Sequence, residues 1–246
     1  MLDLSGIPVH QRDPVSSLFF RLRENLTTGV FLRGHSKDID EEIKNIIAGF
    51  GEKEISSSDI FFRARLNPYT SDAPLRPNEM GAPPCASRGR VQYEGVSVLY
   101  AADSKDTAIS EIKPHLGATV SVGKFSCDTG LRLRLLDLSS PAINPSAKSF
   151  AEYDADARNY LFSLIFSERG FSRAVHPEDP DRYLETIYIA KIIRDLGYDG
   201  VIYKSLQNKC GKNYAYFKSD DFICNEVGVV KIAGIRVEFI EDSSRF

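Results

Sequence analysis

Short apolar runs, spaced at irregular intervals along 246 residues, constrain the fold of this chain more than any other feature. Residues 60–65 (IFFRAR), 97–102, 118–127, 132–138, 200–203 (GVIY) and 214–217 (YAYF) each read as a strand. A last strand region runs from Val227 to Phe239. Helical spacing appears between them. Asp13-Pro14 opens a helix carrying Leu18, Phe19, Leu22 and Leu26, and Ile39, Ile43, Ile46 and Ile47 mark a second that ends at Gly49. Shorter or later helices are expected over 106–114 (stopped by Pro114), 150–168 and 182–196 (ending at Gly197). Many strands and a few helices without regular β-α alternation predict an α+β fold. Residues 1–57 read as an N-terminal helical extension, joined through a polar hinge at 51–58 to a main domain over 58–246.

Composition narrows the function. Apolar residues make up 42% and charged residues 26%, as in an ordinary globular protein. A net charge of −3 offers no general attraction for nucleic acid or anionic lipid, so neither is an expected partner. No apolar run approaches the roughly 18 residues of a membrane helix. The start, MLDLSGIPVHQRDP, lacks the basic-then-apolar pattern of a secretory signal, which makes the cytoplasm the expected location. Cys85, Cys127, Cys210 and Cys224 form no C-x-x-C pair, and the four histidines have no ligand spacing, so no metal site is expected.

The chemistry-bearing residues gather around strand ends. Arg63 and Arg65 lie two apart on one strand and so share a face, suited to a guanidinium fork around phosphate. A loop over 67–89 with five prolines then leads into Arg88-Gly89-Arg90. Tyr100 ends the next strand, and Glu111 follows on a short helix. Each alone has a structural explanation: an arginine snorkelling, a core aromatic, a surface glutamate. A cation, a flat ring and an acid at one strand mouth are together the equipment for gripping an anionic, ring-bearing ligand and working on its sugar. Ser205 ends the strand GVIYK without a G-x-S-x-G elbow or a placed histidine, so it reads as a ligand hydrogen-bonding group rather than a nucleophile.

FFRAR (61–65), GR (89–90), LYAA and TAISE (within 95–111), VSVGKF (120–125), GYDGVIYKS and GKNYAYF (within 197–217) resemble the RES domain family over residues 58–220. That family is named for its Arg, Glu and Ser and supplies the toxin of RES–Xre toxin–antitoxin modules. The resemblance implies an ADP-ribosyltransferase-like mixed or antiparallel β core with flanking helices. It also implies an enzyme that consumes NAD+ as substrate, with no further cofactor. Phosphorolysis or hydrolysis of the nicotinamide–ribose bond would make it a bacterial toxin acting by NAD+ depletion. ADP-ribosyl transfer to a protein and non-catalytic nucleotide binding are the alternatives. In this reading Glu111, Arg90 and Arg63 are catalytic, while Tyr100, Ser205, Arg65 and Gln92 bind substrate. Gln92 is included because the family's GR-x-N reads GRVQ here, and Thr186-Ile187 stands where Thr-Gln is common. An Xre-type antitoxin or another inhibitor protein, and a second copy of the chain as a homodimer, are the expected protein partners.

Overall fold

The strand-forming runs become one eight-stranded mixed sheet in the computed structural model, which describes residues 22, 26, 37–83, 89–92, 97–139, 171 and 183–236. The strands are β1 (Gly51–Ile55), β2 (Phe61–Leu66), β3 (Leu99–Ala102), β4 (Thr119–Cys127), β5 (Leu133–Asp137), β6 (Gly200–Lys204), β7 (Lys212–Tyr216) and β8 (Phe222–Lys231). Their order is β1-β5-β6-β7-β3-β2-β4-β8. Every neighbouring pair is antiparallel except β5–β6. Among the described residues, three helices flank the sheet: α1 (Lys37–Ile47), α2 (Lys105–Glu111) and α3 (Leu184–Asp195). The α+β expectation holds. Apart from the helical residues Leu22 and Leu26, the expected helices over 13–26 and 150–168 lie outside the described residues.

The apolar runs of the central strands are nearly continuous because both faces of the sheet are covered. Consecutive residues point to opposite sides. Val201 joins Ala215, Ile189 and Ile193 beneath α1 and α3, whereas Ile202 joins Leu135, Tyr214 and Tyr216 on the other face. A third cluster, with Ala64, Ala102, Ala108, Val120 and Val122, seats the short α2 on β2, β3 and β4.

Residues 51–58 are not a hinge. Gly51–Ile55 form β1, paired with β5 from Gly51↔Asp137 to Ile55↔Leu133. The charged sequence Glu52-Lys53-Glu54 reads as polar linker, but an edge strand keeps charges on its exposed side, where they also discourage pairing with other chains. Tyr198 donates to Glu52, and Arg132 pairs with Glu54. Ile43 and Ile47 of α1, together with Leu22, share one buried cluster with Val201 and Ala215. A boundary at residue 57 therefore separates no independent unit. β8 also starts earlier than Val227: Lys124 faces Glu226 but Phe125 faces Cys224, leaving Asn225 as an extra residue that breaks the period of two. The expected strand beyond residue 236 lies outside the described residues.

One local feature prepares the site. β2 pairs with β4 from Phe61↔Phe125 to Leu66↔Val120, yet it meets β3 only at Phe62↔Ala102. β3 instead follows β7 from Leu99↔Tyr216 to Ala102↔Asn213. The sheet parts between β2 and β3.

Because α1 and the sheet share a core, Ile43→Ala should cost about 2–5 kcal/mol of global stability. Urea unfolding followed by circular dichroism and tyrosine fluorescence should give one displaced transition. A separate early transition confined to helix signal would show that α1 folds apart from the sheet.

Candidate active site

Arg63 fills the parting of the sheet. Its Nη1 donates to the carbonyl oxygen of Tyr100 at 2.6 Å, standing in for a ladder bond that the diverging strands no longer make. Its Nε is buried and has no hydrogen-bond partner among the described residues. Burial, with a smaller push from the Arg65 charge, lowers its pKa to about 10. The group is still a cation at neutral pH, held in a partly dry place where an arriving anion is strongly favoured.

Arg65 does not share that place. Although it lies on the same strand face, its Nη2 donates to the Gly81 carbonyl at 2.5 Å, where the proline-rich loop folds back over the strand. It is not among the residues that line the cleft beside Arg63. That cleft has a volume of about 320 Å³, within the range of small-molecule sites. Arg63, Arg90, Glu111 and Asn213 supply its charged and amide lining, and Phe62, Tyr100, Tyr183 and Tyr203 its aromatic lining.

Arg90 reaches the cleft from a tight turn closed by Gly89 and Gln92, whose backbones exchange hydrogen bonds of 3.4 and 3.3 Å. Its guanidinium stands 5.4 Å from the centre of the Tyr183 ring, a cation–π arrangement. The turn rests on Tyr100, whose hydroxyl accepts from the Val91 N–H at 3.2 Å. A Cβ at Gly89 would meet the Tyr100 hydroxyl at 2.6 Å, so only glycine allows the approach. Burial raises the Tyr100 hydroxyl far above the usual tyrosine range, and it acts as a neutral prop. Gln92, expected to present an amide to the ligand, is only 3% exposed and lies outside the cleft lining. Its side chain is spent behind the turn, where Oε1 comes within 3.4 Å of a Cβ built on Gly89.

Glu111 is the last residue of α2. Ser104 caps the helix by accepting from the Thr107 N–H at 3.1 Å, and Lys113, at φ 47°, breaks it just before Pro114. A carboxylate at a helix C-terminus sits at the negative end of the dipole, so other groups must hold it. Two do. Ser205 Oγ donates to Glu111 Oε1 at 2.5 Å and Asn213 Nδ2 donates to the same oxygen at 2.7 Å. Ser205 Oγ also accepts from the backbone N–H groups of Gln207 and Asn208 at 3.1 and 3.0 Å.

A hydroxyl offers one donor and two acceptor positions, and all three are used. Ser205, 6% exposed and absent from the cleft lining, therefore serves Glu111 and has no bond left for a ligand. The turn carrying Ser205 is locked to α2: Asn208 Nδ2 donates to Thr107 Oγ1 at 3.0 Å, and a Cβ at Gly211 would lie 2.3 Å from that same oxygen.

Four of the seven expected residues thus converge, namely Arg63, Arg90, Tyr100 and Glu111, while Arg65, Gln92 and Ser205 lie outside the cleft. Asn213, Tyr183 and Tyr203 line it without having been expected. Only Asn213 carried a signal: a strand-disfavoured amide inside the run KNYAYF. Among the described residues, no three His, Cys, Asp or Glu side chains converge to hold a metal ion, and no helix is long and apolar enough to cross a membrane.

An α+β sheet parted around a half-buried arginine, with a hydrogen-bonded glutamate lining the same cleft, defines the class of site. A family model for the RES domain matches residues 60–231, and the chain belongs to that family. No curated protein matches it. Among solved structures it is similar to one described as the crystal structure of the M. tuberculosis MbcT–MbcA toxin–antitoxin complex. The TM-score is 0.42 at 13% identity, covering 78% of this chain and 92% of that one.

Gly89→Ala should destabilise the protein by about 1–3 kcal/mol through the forced shift of Tyr100. Adding Tyr100→Phe, which removes the hydroxyl in the way, should recover part of that loss in urea titrations. If the double variant is no more stable than Gly89→Ala, the close approach is not the cause. The half-buried Arg63 cation also predicts that inorganic pyrophosphate raises the melting temperature. Saturation at 100 times Kd corresponds to about 2.7 kcal/mol. The same shift in Arg63→Ala would refute the assignment of the anion to Arg63.

Proposed function

We propose that this protein is an enzyme that breaks the nicotinamide–ribose bond of NAD+, acting as a toxin by depleting NAD+ in the cytoplasm. The observation that carries the proposal is Glu111 held by two donors on one carboxylate oxygen, across a cleft from two guanidinium groups. Membership of the RES family supports NAD+ as the substrate in this reading.

Arg63 and Arg90 hold the pyrophosphate, and its negative charge offsets the buried Arg63 cation. Fixing the dinucleotide this way presents one ribose to Glu111. As the bond between C1′ and the pyridine nitrogen breaks, its electron pair leaves with nicotinamide, which departs as a neutral base and needs no strong general acid. Positive charge spreads over C1′ and the ring oxygen. A carboxylate already oriented by Ser205 and Asn213 stabilises that charge with little reorganisation. An acceptor oxygen then bonds to C1′. Water gives ADP-ribose and a proton, inorganic phosphate gives ADP-ribose-1″-phosphate, and a protein side chain gives an ADP-ribosylated target. Tyr100 supports the Arg90 turn, and Ser205 acts through Glu111.

The toxin reading implies an inhibitor protein of the antitoxin type, whose occupation of the cleft mouth would exclude NAD+.

Purified protein incubated with NAD+, with and without phosphate, should release nicotinamide, and mass spectrometry of the second product names the acceptor. Glu111→Ala and Arg90→Ala should each lower turnover by about 10²–10³-fold or more, with unchanged circular dichroism. Wild-type rates in both variants would refute the proposal. Binding of NAD+ by the wild-type protein without turnover would make the cleft a nucleotide-binding site and not an active site.

A further inference from the structure

Asn213 is a buried amide near the start of a central strand, between Lys212 and the buried Tyr214. β7 lies between β6 and β3, and Asn213 is in register with Tyr203 on one side and Ala102 on the other. It is 6% exposed. An amide desolvated at such a place costs stability unless hydrogen bonds replace its water, and asparagine is among the residues that strands disfavour. Its bond to Glu111 Oε1 at 2.7 Å accounts for its presence there. An ionised carboxylate only accepts, so the NH2 end of the amide must be the end that faces it.

We infer that Asn213 is a positioning residue which, with Ser205, clamps Glu111 through Oε1 so that Oε2 is presented to the cleft. The kinetic consequence rests on the NAD+ reading above; the clamp itself does not. Glu111 is exposed and stands at the end of a seven-residue helix, so the helix alone does not fix its side chain. One hydrogen bond would leave the carboxylate free to swing about Oε1. Two donors from different elements remove that freedom. Ser205 is itself anchored by the N–H groups of its own turn, and Asn213 by the ladders on both sides of β7. The clamp therefore ties the last residue of α2 to a central strand of the sheet.

Two variants test this. Asn213→Ala should lower kcat for NAD+ loss by about 10²-fold, the scale of a misplaced catalytic group. KM should stay within about threefold, because the interaction lost serves the transition state rather than binding. Asn213→Asp keeps the shape but sets a second carboxylate beside Glu111. Two like charges at that distance hold a proton between them, so the acid limb of the kcat–pH profile should move to higher pH. A purely structural role for Asn213 predicts equal loss at every pH.

Unchanged kcat in Asn213→Ala, or a rise in KM alone, overturns the inference. A double-mutant cycle in urea unfolding supplies the readout independent of activity. Glu111→Ala should perturb stability differently in the Asn213→Ala background than in wild type. If wild-type protein leaves NAD+ intact, the functional reading fails, and the cycle still decides this one: coupling supports the clamp, additivity overturns it.

Discussion

A guanidinium lodged between two diverging strands is the constraint on which the cleft depends. β2 and β3 share one ladder position, and Arg63 spans the parting by donating to the Tyr100 carbonyl. Closing the gap with ordinary strand pairing would satisfy that carbonyl without a charge and would leave no cleft. The half-buried guanidinium instead fills the opening, where desolvation, with a smaller push from the Arg65 charge, lowers its pKa to about 10.

The rest of the site is arranged around that opening by parts of the chain far apart in sequence. Glu111, Ser205 and Asn213 meet through one carboxylate oxygen, and the turn between β6 and β7 is keyed to α2 through Thr107 and Gly211. Tyr100 joins the two halves, since its backbone receives Arg63 while its hydroxyl supports the turn that carries Arg90. A change at any of these contacts reaches the carboxylate or a guanidinium through a single intervening residue.

Legibility from sequence followed the range of the interaction. Strand positions such as 60–65 and 200–203 show in local apolarity, and the α+β class follows from their spacing. β1 was hidden because an edge strand of alternating charge has the texture of a linker. The early start of β8 was hidden because the bulge at Asn225 breaks the period of two. In the site, strand periodicity puts Arg63 and Arg65 on one face, but a shared face does not place both in one pocket. The Gly81 carbonyl captures Arg65, and nothing in strand periodicity foretells that capture.

By itself, the sequence determined which residues carry chemistry and the family to which the chain belongs, because residue types and their order along short motifs are local properties. What each residue does was decided only by tertiary structure. Ser205 sits at a strand end in either view, yet its saturated hydroxyl turns it from a ligand contact into a support for Glu111. Asn213 is an unremarked amide in KNYAYF until the pairing of β7 brings it to within 2.7 Å of the same carboxylate. The physical reason is that a hydrogen bond depends on direction and on competing partners, and both are set only when distant segments share one core.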